Sequence, residues 1–218
     1  MKHAIIALSL LSAASALHAE PSNLTWHKQT LIKYHDSGEY LTEFTQKINE
    51  AKTYLDQKLQ KNQQLKHPKK LAIVLDIDET SVSNYPAMRR LDFGGQISDI
   101  NAGIEQGVDP VLKPMLGFYN YAQQHNVSMF FVTGRKEHER NITVKNLEQA
   151  GYSAWQKLVL KPESYNQKSV IPFKASARKA IEAQGYQIVE SIGDQWSDIK
   201  GGYAEKGIKL PNPYYYLP

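Results

Sequence analysis

Acidic side chains crowd the stretch LAIVLDIDETSVSNYP, residues 71–86. Asp76, Asp78 and Glu79 fall within four positions, directly after an apolar run. Like charges this close repel, and burying them is costly unless a cation neutralises them. Farther along, GDQWSD supplies two more carboxylates, Asp194 and Asp198. Asp76, Asp194 and Asp198 offer oxygen donors only. Such donors suit Mg²⁺, which keeps several waters and pairs with a substrate phosphate. Zinc is a poor fit, because the chain has no cysteine and its seven histidines form no HExxH-like pair. A carboxylate can attack phosphorus once the phosphoryl oxygens are neutralised, and Asp76 is the candidate nucleophile. Asp78, two residues on, could protonate a leaving alkoxide and later take a proton from water. An alcohol leaving group needs that proton far more than ADP does, which favours an ester phosphatase over an ATPase. Thr133 offers a hydroxyl to a phosphoryl oxygen. Lys174 offers a positive charge beside the amide donors of a helix start.

The elements that must position these groups follow from apolar periodicity. LAIVLDI, VSMFFVTGR, KLVLK and QIVESIGD read as four buried strands. Between them lie helical stretches: 109–126 starting near Pro114, 137–152 closed by Gly151, and 174–186 closed by Gly185. Alternating strands and helices imply an α/β fold, a Rossmann-like parallel sheet with helices on both faces. Ligands of such sheets bind at the carboxyl ends of the strands. Asp76, Thr133 and Asp194 each end a strand there, so they can converge although far apart in sequence. Residues 20–66 form an N-terminal helical extension, expected to pack on the main body 67–218. Its apolar stripe reads Leu41, Phe44, Ile48, Ala51, Leu55, Leu59.

Composition narrows the class. The chain has 218 residues, 41% hydrophobic and 22% charged, which predicts a folded globular body. Its formal charge of +4 is spread along the chain, so no nucleic-acid polymer is expected as a partner. Residues 1–19 read as a secretory signal peptide: Lys2 and His3, an apolar run from Ala4 to Leu11, then small residues up to Ala19. That run is too short for a stable membrane anchor, and there is no lipobox cysteine. Export, to a periplasm or outside the cell, is the expectation. No oligomeric state is implied.

DIDET, VTGR, Lys174 and GDQWSD resemble the four motifs of the haloacid dehalogenase (HAD) superfamily. The longer stretches TGRKEHERNITVKNLEQAGY, GDQWSDIKGGY and KLPNPYYYLP resemble its secreted acid phosphatase branch, subfamily IIIB, which includes class B and plant-type enzymes and is close to class C. The resemblance spans about residues 70–218. It implies a Mg²⁺-dependent phosphatase acting on small phosphomonoesters through a phospho-aspartyl intermediate on Asp76. It further implies that Asp76, Asp194 and the backbone carbonyl of Asp78 bind the metal, with Asp198 acting directly or through water. Thr133, Gly134 and Lys174 would hold the phosphoryl group. A cap is expected at about 84–113, where Tyr85, Phe93 and Arg89 are candidates to touch the leaving group.

The bland readings are specific. Thr133 could cap a helix, Asp194 and Asp198 could be turn residues beside Gly193, Lys161 and Lys168 rival Lys174, and Arg135 is read as an ion-pair partner. NPYYYLP reads as a docked tail. A cysteine phosphatase is excluded, and RHGxRxP, Gly-Asn-His and GxxxxGK[ST] motifs are absent. Two alternatives remain: a phosphotransferase using the same intermediate, and a non-catalytic storage or binding protein. Storage proteins of this branch can lack the nucleophile; here Asp76 is present.

Overall fold

The computed structural model describes residues 21–94 and 109–217. The expected leader, 1–19, and the middle of the expected cap, 95–108, lie outside them. Five parallel strands form the sheet: β1 (Lys70–Leu75), β2 (Ser128–Lys136), β3 (Lys157–Lys161), β4 (Tyr186–Gly193) and β5 (Lys206–Lys209). Their order is β3-β2-β1-β4-β5, which puts β1 in the centre with the chain reversing direction across it.

Burial on both faces of the sheet explains why β1 and β2 carry unbroken apolar runs. Leu71, Ile73 and Leu75 of β1, with Met129 and Phe131 of β2, face the larger core. That core is completed by α2 (Glu39–Gln63), α4 (Lys113–Gln124) and Leu147 of α5 (Arg140–Gln149). Ala72 and Val74, with Phe130 and Val132, face the opposite cluster, closed by Ala177 and Ile181 of α6 (Ile171–Glu182). The period-two alternation of the strands thus feeds two helix layers. Two short helices complete the described chain after α1 (Leu24–Asp36): α3 (Tyr85–Arg90) and α7 (Trp196–Ile199). None of the helices among the described residues is long and apolar enough to cross a membrane.

Two local expectations are corrected. Leu41 lies 49% exposed, and Tyr40 takes its place in the buried stripe with Phe44, Ile48, Ala51 and Leu55. The tyrosine ring is covered by Tyr214 from the far end of the chain, at 5.8 Å between centroids. A fifth strand, β5, adds to the four expected. Its sequence, KGIK, buries only Ile208, too little for a periodic signal. The helix closures at Gly151 and Gly185 both take the left-handed conformation, φ +96° and +88°, where a Cβ would be strained.

One core group is out of keeping with its surroundings. Glu190 of β4 is completely buried, and neither carboxylate oxygen has a hydrogen-bond partner. Burial pushes its pKa from 4.5 up to about 8, with Lys206 opposing and Glu50 adding to the rise. The native protein therefore keeps a proton that the unfolded chain loses, and stability should decline as pH climbs from about 4.5 to about 8. Glu190→Gln should leave stability at pH 4.5 nearly unchanged and raise it at pH 8 by on the order of 3 kcal/mol. Urea unfolding at the two pH values checks this; equal effects at both would contradict it.

Candidate active site

The carboxyl end of the sheet collects the acidic residues. Asp76 follows β1 directly, and its backbone N–H donates to Ile192 O at 3.0 Å, which locks the residue against β4. The chain then turns tightly: the N–H groups of Thr80, Ser81 and Val82 all point to Ile77 O. Asp194 leaves the end of β4, and Asp198 lies in the one-turn helix α7. Each of Asp76, Asp194 and Asp198 offers one carboxylate oxygen, and these atoms lie within 4.8 Å of one another. All three side chains are buried. Gly193 is what admits Asp198: a Cβ there would sit 2.2 Å from Asp198 Oδ2.

Lys174, in the first turn of α6, reaches into this group. Its ammonium donates to Asp76 Oδ1 at 2.8 Å and also to Asp198 Oδ1. It is 4% exposed. Burial alone would lower its pKa, but Asp198 and Asp76 outweigh that and raise it above the ordinary lysine value. One positive charge among three buried acids leaves an excess of negative charge. Burial and the neighbouring carboxylates accordingly push Asp76 well above the usual range and Asp194 to about 7. A donor set of oxygens only, compact and over-negative, fits a hard divalent cation such as Mg²⁺. Four positions farther along the same helix face, buried Arg178 donates to the carbonyls of Asp198 (2.7 Å), Gly202 (2.8 Å) and Lys200. It holds the end of α7, which carries Asp198, and the turn that follows. Its spacing of four from Lys174 was the available signal for an inward position.

Asp78 stands apart from the three. Arg135, 4% exposed, grips it with Nε at 3.0 Å from Oδ2 and Nη2 at 2.6 Å from Oδ1. Asn84 Nδ2 adds a third donor at 2.8 Å. Burial opposes ionisation of Asp78, yet the Arg135 charge and these hydrogen bonds hold its carboxyl below the ordinary range. Arg135 also contacts Asp109 Oδ2 at 3.3 Å, so it serves two buried acids. Thr133 is fully buried within β2, three residues short of the strand end expected of it, and its hydroxyl accepts from Arg135 N at 3.1 Å. Gly134 is partly exposed beside it, with no atom near the place a Cβ would occupy.

The rival lysines lie elsewhere. Lys161 ends β3, half-buried, with its pKa lowered by burial and by Lys136; Lys168 is exposed in the following loop. Tyr85, expected to touch the leaving group, is 5% exposed. Its ring stacks on His35 with centroids 3.4 Å apart, and its hydroxyl donates to Asp36 Oδ1 at 3.1 Å. Arg89 donates to the Tyr85 hydroxyl at 3.1 Å and pairs with Asp36. Phe93 and Tyr214 close the cluster at 6.1 and 5.3 Å from Tyr85. As placed, these groups pack α3 against α1 and the chain end.

Two groups beyond the expected set border the site. Glu79 is fully buried with φ +49°, and accepts from Tyr215 OH at 2.6 Å. Asn212 donates to Asp194 Oδ2 at 2.7 Å.

Comparison with known proteins identifies the family of the chain. Residues 1–218 match the profile of the HAD superfamily, subfamily IIIB (acid phosphatase). Acid phosphatase 1 of Solanum lycopersicum is 35% identical over 148 residues, covering 66% of this chain and 58% of that protein. The stem 28 kDa glycoprotein of Glycine max is 36% identical over 159 residues, 69% of this chain and 61% of its own length. Vegetative storage protein 2 of Arabidopsis thaliana is 33% identical over 149 residues, 66% of this chain and 56% of its own. The chain thus spans about three-fifths of the length of these relatives. Among solved structures, the class C acid phosphatase from Bacillus anthracis aligns with a TM-score of 0.71 at 25% identity, covering 87% of this chain and 86% of that one. With the motif residues gathered at one end of a five-stranded parallel sheet and the family profile matching from end to end, the chain belongs to the HAD superfamily, subfamily IIIB.

Proposed function

We propose that the protein is an exported, Mg²⁺-dependent phosphatase that hydrolyses small phosphomonoesters through a phosphorylated Asp76. The observation that carries this reading is the buried meeting of Asp76, Asp194 and Asp198 with the Lys174 ammonium. Export rests on the residue pattern of 1–19.

In the first step a carboxylate oxygen of Asp76 attacks phosphorus, the phosphorus–alkoxide bond breaks, and Asp78, after taking up a proton from solvent against the hold of Arg135, passes that proton to the departing alcohol. In the second, water attacks the phosphorus of the aspartyl phosphate while Asp78 takes the water's proton. The acyl phosphate bond breaks, and Asp76 and inorganic phosphate are released. A Mg²⁺ ion held by Asp76, Asp194, the Asp78 carbonyl and Asp198 would neutralise charge on the phosphoryl oxygens. Lys174 lies against Asp76 and stabilises the same charge from the protein side. Thr133 and Gly134 offer a hydroxyl and a backbone edge in the last residues of β2 before Lys136 for the remaining oxygens. Arg135 and Asn84 hold Asp78 in one rotamer for both proton transfers.

The test is a panel of nucleotides, sugar phosphates and aryl phosphates assayed between pH 5 and 7 with added Mg²⁺ and with chelator. Turnover that needs the ion is the expected result. Transfer of phosphate to an added alcohol in place of water would mark a phosphotransferase on the same site. A folded protein with no turnover on any ester would favour the storage reading, which the similarity to vegetative storage protein 2 keeps in play.

A further inference from the structure

The chain end after β5 does more than cover the core. Leu210 N donates to Gly193 O at 2.9 Å, so the tail starts where Asp194 begins. Asn212 Oδ1 accepts from Tyr214 N at 2.9 Å, forming a side-chain turn that fixes the amide. Its Nδ2 then reaches Asp194 Oδ2 at 2.7 Å, beside Gln195 Nε2 at 2.6 Å. Two amide donors on Oδ2 set the rotation of that carboxylate, while Oδ1 meets only the Thr80 hydroxyl at 3.3 Å and stays available to a cation. Gln195 is gripped in turn: its Oε1 accepts from Leu217 N at 3.0 Å.

The same tail reaches the other half of the site. Tyr215 OH donates to Glu79 Oε2 at 2.6 Å. Asn84 Nδ2 bridges from Glu79 Oε2 (3.2 Å) to Asp78 Oδ1 (2.8 Å). This gives a role to the third acid of DIDET. Glu79 is a buried carboxylate whose contacts are all donors, and it ties the chain end to the acid/base residue.

We infer that the tail Leu210–Leu217 is a positioning strap across the catalytic centre, in which Asn212 orients Asp194 for its cation and Tyr215, through Glu79 and Asn84, holds Asp78. The inference rests on the functional reading above. It assigns Asn212 and Tyr215 separable effects. Outer-sphere hydrogen bonds to metal ligands typically control affinity by about 10–100-fold. The Asp78 side chain, by contrast, lies outside the three-carboxylate group, so loss of the Tyr215 hydroxyl should slow turnover and leave the ion bound.

The test measures Mg²⁺ affinity by titration calorimetry and steady-state kinetics for the full chain and its variants. Asn212→Ser keeps a hydroxyl for the turn but cannot reach Asp194, and should weaken Mg²⁺ binding by about 10–100-fold with native circular dichroism. Asn212→Ala serves as a second variant should the serine misfold. Tyr215→Phe should lower kcat by about 10-fold with Mg²⁺ affinity within about twofold of wild type. Trp26→Ala, changing a side chain 70% exposed in α1, should alter neither quantity. Folded Asn212 variants with wild-type Mg²⁺ affinity would overturn the inference, as would Tyr215→Phe changing affinity and kcat in parallel. A wild-type protein that binds no Mg²⁺ would overturn the functional reading along with it.

Discussion

Asp76→Asn is expected to abolish turnover, by at least about 10⁴-fold in kcat, and at the same time to stabilise the metal-free protein. The first effect follows from chemistry. An amide cannot form the aspartyl phosphate, and Asp78, held by Arg135, has no attacking oxygen to work with. The second follows from electrostatics. Asp76 is buried beside Asp198 and Asp194 with only Lys174 in compensation, and its pKa is raised as a result. A carboxyl with a folded-state pKa above its unfolded value costs stability once the pH passes the unfolded value, and the cost grows up to the folded one. Removing that charge should therefore gain about 1–2 kcal/mol near pH 7 and almost nothing near pH 4. Mg²⁺ should reverse the order: at 100 times its dissociation constant it would stabilise the wild type by about 2.7 kcal/mol, and the variant by less. Chromogenic ester hydrolysis and thermal unfolding, each with and without Mg²⁺, read both effects. Residual activity above about 1% of wild type would remove Asp76 from the nucleophile's role.

What was legible in the sequence was whatever is local. The runs before Asp76 and Thr133 are apolar on both strand faces, so strand, strand end and acidic residue come as one signal. The crossovers supply the order, and a parallel sheet then brings the strand ends together. Contacts between distant segments were not legible. Arg135 and Asp78 are 57 residues apart, and Tyr215 and Glu79 are 136 apart. Tyr40 displaced Leu41 from the stripe because its cover comes from Tyr214, and no helical period encodes that. β5 has a single buried residue and two lysines, so β4 supplies the template that makes it a strand. Glu79 shows the limit most clearly. Its side chain belongs with the chain end, although its position in DIDET groups it with the catalytic acids.

Arg135 supports the site from below, and its loss should harm both the fold and the chemistry. Its side chain is 1% exposed and serves Asp78 and Asp109 together, with a further contact from Nη1 to Thr143 Oγ1 at 3.5 Å. Asp109 is already pushed up to about 6 by burial, with Arg135 pulling against the rise. Arg135→Met preserves the length and apolar contact of the side chain but strands two buried acids. Breaking a buried pair from one side costs about 3–5 kcal/mol, because the remaining charge keeps its desolvation penalty without its partner. Arg135→Lys should recover only part of this: a single ammonium cannot reproduce the two-nitrogen grip on Asp78 and still reach Asp109. Asp109→Asn in the Met background should return some of the lost stability, since one of the stranded charges is gone. Chemical unfolding of the four proteins measures the series. Activity should follow Asp78 alone, so both Met variants should stay about 10²–10³-fold below wild type in kcat even where Asp109→Asn restores the fold. A Met variant that matches wild type in unfolding free energy would mean that the buried acids take up protons at little cost and that Arg135 is dispensable to the architecture.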